Sequence, residues 1–131
     1  MTTSQEKLYT HTVNIYAPID VDYLYVKDIS ELAYPATPSS SGVKCYRNTK
    51  PEVSQDNYIG RMLASGTFVS LCEFNFEASV DINTNYIIEF TTEGHPDKGE
   101  WFGVVGNPKV KNFRANKLTV YAIRAIKPRL I

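Results

Sequence analysis

The sequence predicts an all-β fold, a small antiparallel barrel or sandwich, and three observations predict it. Short runs rich in Val, Ile, Tyr, Phe and Thr recur along the 131 residues, separated by Gly, Pro and polar clusters. Most of these runs alternate with the period of two that a pleated strand imposes. No stretch holds the spacing of a long amphipathic helix, so at most one or two short helices are expected. The region 85–125 is the most legible. Residues 86–92 and 101–105 are strand-like and flank Gly94, Pro96 and Gly99, which demand a reversal and so a hairpin. Gly106, Asn107 and Pro108 then read as a break. A further strand sets Leu118, Val120, Ala122 and Arg124 against Thr119, Tyr121 and Ile123, completing a meander.

From the start of the chain, residues 1–8 are polar without periodicity and read as a flexible arm. The expected domain, 9–131, opens on a strand with Tyr9, His11, Val13 and Ile15 on one side and Thr10, Thr12, Asn14 and Tyr16 on the other, ended by Pro18. Residues 23–27 suggest a second strand and 28–33 a short helix with a polar start. Residues 34–42 carry two prolines and a serine run and read as a loop, too short to divide the chain into domains. Residues 43–47 form the next strand, with Val43 and Cys45 inward. An extended connection at 47–66 follows, unusually long for a compact domain and therefore a candidate functional loop, with Lys50, Glu52, Asp56, Gly60 and Arg61 its distinctive residues. The run 67–77 places Phe68, Ser70, Cys72, Phe74 and Phe76 on one face, a core face rather than a base-stacking platform, since Glu73, Asn75 and Glu77 lie between. The expected core comprises Val13, Ile15, Val43, Cys45, Phe68, Phe74, Ile87, Val104, Val120 and Ala122.

Composition narrows the functional classes. A hydrophobic content of 43% supports one ordinary core, and no apolar window approaches a membrane span or a signal peptide, which predicts a chain made and used in a cytoplasm. Cys45 and Cys72 lie in separate strands without a CxxC, which reads as two buried thiols rather than a zinc site or a disulfide framework. No catalytic motif is present, and only His11 and His95 could serve as near-neutral bases. His11 reads as a packed or edge histidine and His95 as a solvated one at a hairpin tip; no catalytic residue, metal ligand or cofactor is expected. Charge is segregated: residues 1–100 hold 7 basic and 14 acidic side chains, whereas Lys109, Lys111, Arg114, Lys117, Arg124, Lys127 and Arg129 have no acid among them. Such a division suits contact between copies, acidic flank against basic flank, and Lys109, Lys111, Arg114 and Lys117 are the candidate contact residues.

The order of features resembles the head-completion, or stopper, proteins of tailed bacteriophage necks. The resemblance is carried by the strand at 11–16, the strand at 43–47 with its long polar loop containing Gly60, the strand at 67–76, and the closing run 81–87, Gly106-Asn107-Pro108 and 118–123, covering roughly 9–126. Asn85 stands where an acid is common in that family, and Trp101-Phe102-Gly103 replaces Tyr-x-Val. The resemblance implies a β-barrel assembled as a homo-oligomeric ring, six- or twelve-fold, in the virion neck between a portal-bound adaptor and a tail terminator or tail tube protein. It implies that the 47–66 loop projects into the channel and helps close it, with packaged DNA passing unread and no membrane involved. A small ligand- or peptide-binding barrel, or another neck or tail ring protein such as a tail terminator, is the alternative. The fold expectation has a direct measure: circular dichroism should show helix far below about a third of the residues, the globular average.

Overall fold

The computed structural model describes residues 9–19, 32–49, 71–111 and 117–131. In chain order the strands are β1 (His11–Tyr16), β2 (Ala33–Tyr34), β3 (Ser40–Asn48), β4 (Leu71–Glu77), β5 (Ile87–Phe90), β6 (Trp101–Lys111), β7 (Lys117–Ala125) and β8 (Arg129–Leu130). Six of them close into an antiparallel barrel in the order β1-β3-β4-β7-β6-β5 and back to β1, while β2 and β8 form a separate parallel pair. No helix occurs among the described residues. Closure leaves the barrel without an unpaired edge.

Alternation decides what faces inward. Val13, Ile15, Cys45, Phe74, Val104, Val120 and Ala122 all join one buried interior cluster, and Val43 packs against it. A barrel this narrow is filled by its own side chains. Phe74 meets Phe102 edge-on at 5.3 Å and stacks with Phe76 at 6.2 Å, arrangements that the aromatic quadrupole favours. Phe68 lies outside the described residues.

Ile87 is fully buried but not in this interior: it joins Tyr16, Leu32, Tyr34 and Trp101 on the outer surface, while Ile88 fills the inside. The outer surface needs apolar residues because β2 and β8 lie across it, so β5 carries isoleucines on both faces instead of alternating. Tyr34 is central to that layer. Its side chain has no exposure, its hydroxyl donates to the Asn85 carbonyl oxygen at 2.7 Å, and burial pushes its pKa far above the ordinary phenol value. Asn85 has φ 70°, a left-handed conformation that Asn tolerates better than most residues, which accounts for an amide rather than a bulkier side chain there.

Two segments expected as loops or breaks are strand. Residues 40–42 belong to β3, where the register passes from Val13↔Val43 to Ile15↔Ser40 through one extra residue. Gly42, at φ 62°, sits in that bulge and donates its N–H to Asn14 Oδ1 at 3.0 Å. Strand β6 runs through Gly106, Asn107 and Pro108: its pairing jumps from Val105↔Tyr121 to Lys109↔Thr119, with Gly106 at φ 69°. A bulge tolerates both the left-handed glycine and a proline without an amide hydrogen, so the strand bends where a break was expected. Ala33, the end of the expected helix, and Tyr34, the first residue of the expected 34–42 loop, both lie in β2. The arm 1–8, the strand at 23–27 and the rest of that helix lie outside the described residues.

Replacing Phe74 with Ala should cost about 3–5 kcal/mol in urea unfolding, as for other large core truncations. Tyr34→Phe should cost about 1–2 kcal/mol by removing the buried hydrogen bond to the Asn85 carbonyl while leaving the outer apolar layer intact.

Candidate functional site at one end of the barrel

Antiparallel register gathers the start of β1, β4 and β6 and the end of β3, β5 and β7 at one end of the barrel. The connection 91–100 bends back at this end. Its own turns are held by His95 N–H to the Thr92 carbonyl at 3.3 Å, Lys98 N–H to the His95 carbonyl at 3.1 Å and Gly99 N–H to the Phe90 carbonyl at 2.8 Å. It is fastened to β1 by Thr91 N–H donating to the Thr12 carbonyl at 3.0 Å and Thr12 N–H donating to Thr92 Oγ1 at 3.0 Å.

At this end the inward positions become charged. Arg47 is two residues beyond the inward Cys45, and Arg124 two beyond the inward Ala122. The Arg47 side chain is only 7% exposed, and its guanidinium lies 4.7 Å from the Phe90 ring centroid and 5.6 Å from that of Phe102. Aromatic faces attract the cation but do not neutralise it. Asp97 does: its Oδ2 accepts from Arg47 Nη2 at 2.5 Å and lies 3.6 Å from Arg124 Nη2. The hydrogen bond from Arg47, with the fields of both arginines and His95, holds the Asp97 carboxyl below the usual 3.8 despite some desolvation. Arg124 also stands 3.9 Å from Glu100 Oε2 and 5.7 Å from the Phe102 ring.

Two histidines complete the cluster. His11 Nδ1 accepts from the Arg47 main-chain N–H at 3.1 Å, and its ring stacks on Tyr46 at 5.7 Å and leans on Phe90 at 5.4 Å. His95 Nδ1 accepts from the Asp97 N–H at 3.0 Å, and its ring stands edge-on to Phe90 at 4.8 Å and to His11 at 5.4 Å. His95 is thus a packed side chain, not the solvated one its position between Gly94 and Pro96 suggested. Burial, then His95, then Arg47 push the His11 pKa below 6.5.

Beside the pair of arginines lies a cleft of about 140 Å³ lined by Arg47, Thr49, Leu71, Cys72, Phe102 and Arg124. Burial raises the Cys72 thiol to about 12, and the Cys45 thiol likewise, so neither is a nucleophile near neutrality. Among the described residues no group of three or more His, Cys, Asp and Glu side chains could hold a metal ion.

The candidate loop residues Lys50, Glu52, Asp56, Gly60 and Arg61 lie outside the described residues. Arg47, shared by the expected strand 43–47 and the expected loop 47–66, lies inside β3 as does Asn48, and the residues that flank the intervening segment, Thr49 and Leu71, both line the cleft at the arginine end. Of the candidate contact residues, Lys109, Lys111 and Lys117 lie toward the opposite end. Lys109 and Lys111 pair in register with Thr119 and Lys117, and Lys117 pairs on its other side with Glu77. Arg114 lies outside the described residues. The Arg47–Asp97 pair was missed as a site, although the inward parity of Arg47 with Cys45 signalled a charge that the interior would have to answer.

No family model matches the sequence, and no curated protein matches it. Solved structures do. One is the phage-like element PBSX protein xkdH from Bacillus subtilis, 19% identical, matched over 87% of this chain and 92% of that chain with a TM-score of 0.50. Another is protein SF1141 from Shigella flexneri 2a, 16% identical over 89% of this chain and 93% of that one, with a TM-score of 0.52. At these identities the likeness is one of fold.

Asp97→Asn should destabilise the protein by about 1–3 kcal/mol near neutrality, because it removes the charge that answers a buried guanidinium. With its folded pKa depressed below 3.8, Asp97 stabilises the fold in full above that value and loses the contribution as pH falls through the folded pKa. The gap between wild type and Asp97→Asn in urea unfolding should therefore be full at about pH 6 and shrink as pH falls below 3.8.

Proposed function

We propose that this chain is a structural protein of a phage particle and, within it, a head-completion protein of the neck. Copies would form a six- or twelve-fold ring between the portal-bound adaptor and the tail terminator or tail tube, in the virion, after synthesis in the host cytoplasm. The observation that carries the reading is the barrel with a connection of some twenty residues rooted at one end, between Thr49 and Leu71, on a fold shared with a protein of a phage-like element. A tight turn would join two such strands, so the extra length answers a need other than folding. The buried Arg47–Asp97 pair holds the last inward residue of β3 immediately before that connection, giving it a rigid root. In a ring, such connections would converge on the axis, where Lys50, Glu52, Asp56 and Arg61 provide mixed charge that does not grip phosphates as an all-basic surface would. DNA would pass without being read, and the role involves no catalysis, cofactor or membrane.

A ligand-binding barrel has less support, because the interior is occupied by Phe74, Phe76, Phe90 and Phe102, where a ligand would have to sit.

Shortening 50–57 to a tight turn should leave the circular dichroism spectrum and docking to the neck intact, yet yield heads that lose packaged DNA, measured as nuclease-sensitive genome. Particles that keep their genome and infect normally would remove the plug role. The basic end has its own test: Lys109→Glu with Arg114→Glu should leave a folded monomer that fails to enter the ring, read by its absence from purified particles. Normal incorporation would show that these charges do not set the contact.

A further inference from the structure

We propose that the 91–100 connection is a proton-released latch over the arginine end of the barrel, with His11 as the trigger. The latch stands on how the two imidazoles are used. Each presents Nδ1 as an acceptor to a main-chain N–H, His11 to Arg47 of β3 and His95 to Asp97 of the connection itself. An imidazolium carries hydrogens on both nitrogens and accepts from neither. Protonating His11 therefore turns the Arg47 N–H···Nδ1 contact into two donors facing each other. The imidazoles also touch, at 5.4 Å between centroids, so the ring that changes on β1 bears directly on the ring that the connection lays against Phe90.

The surrounding charges make His11 the trigger. Among the described residues, the groups facing it are the Tyr46 ring and the Arg47 guanidinium from β3, the thiol of its register partner Cys45, and His95 from the connection. No carboxylate contacts its ring among these interactions. Asp97 is committed to Arg47 and Arg124, and Glu100 stands by Arg124 of β7. The outer Glu93–Lys98 pair is exposed and neutralises itself. His95, by contrast, has the Asp97 carboxylate on its own turn. A charge on His11 would meet Arg47 on one side and a second imidazole on the other, without compensation.

The sign follows from the direction in which His11 is shifted. Its folded pKa lies below 6.5, so the unfolded or opened chain takes up the proton first as pH falls. Closure is complete above pH 6.5 and weakens below it, until the folded imidazole itself titrates. Asp97 cannot cause a loss in that window, because its carboxyl titrates below 3.8. Opening would uncover Arg47, Arg124, Phe90 and Phe102, the charged and aromatic wall beside the cleft. The latch belongs to the folded chain and does not depend on the neck reading.

Amide hydrogen exchange by NMR on the full chain tests this, corrected for the intrinsic pH dependence, between about pH 7.5 and 5. The Thr91 and Gly99 amides, which fasten the connection to β1 and β5, should lose about tenfold in protection for each unit of His11 shift, with the amides of Phe74 and Val120 in the barrel wall unchanged. The midpoint should coincide with the His11 titration followed at its ring Cε1–H. His11→Asn supplies an oxygen acceptor that does not titrate and should keep the latch protected at the acid end. Protection at Thr91 and Gly99 that stays constant across the range would overturn the proposal. So would a His11→Asn protein whose latch still loosens with acid, or a wild-type opening midpoint more than about one pH unit from the His11 titration. If the Asn substitution fails to fold, agreement or disagreement of those two wild-type midpoints decides the matter.

Discussion

A buried guanidinium must find a negative charge, and much of this molecule is arranged around that requirement. Arg47 occupies the last inward position of β3, where the barrel interior gives way to its rim, and its side chain is 7% exposed. Phe90 and Phe102 flank it and remove water, which strengthens any interaction it makes and raises the cost of leaving it alone. The answering carboxylate comes from Asp97, 50 residues away, on a connection that has to bend over the rim to deliver it. The bond thus ties the β5–β6 connection to β3, two elements not hydrogen-bonded to each other in the sheet.

The remaining architecture has two layers with different physical origins. The interior is packed by alternating residues from six strands, with phenylalanines that meet edge to face. The outer layer arises because β2 and β8, short and parallel, lie across part of the wall and bury Tyr16, Ile87 and Trp101 beneath Tyr34. Bulges at Gly42 and near Gly106 let β3 and β6 bend while keeping their inward residues in register.

The features that bear on function are divided between the two ends of the barrel. The arginine cluster, the 91–100 connection and the roots of the long connection at Thr49 and Leu71 lie together, while the end of β6 and the start of β7, with Lys111 and Lys117, lie at the other end. In the proposed ring, such polarity would set one end toward a channel or partner and leave the other available to neighbours. A barrel filled by its own aromatic side chains serves as a rigid mount more readily than as a container.

Period-two alternation in 11–16, 71–77 and 118–124 was enough to identify strands and to put Val13, Phe74, Val120 and Ala122 inside, because a pleated backbone enforces that periodicity locally. The same alternation set Arg124 on the inward face of its strand, though not what it would meet. Tertiary structure alone decided that Ile88 rather than Ile87 faces the interior, since both faces of β5 are buried and alternation vanishes there. It alone made strand of 40–42 and 106–108, where bulges absorb glycine and proline. The pairing of Arg47 with Asp97, of His11 with His95 and of Ala33 with Arg129 joins residues 50, 84 and 96 positions apart. A local pattern carries no information about such distances; they are set only when the chain closes on itself and buried charges have to be answered.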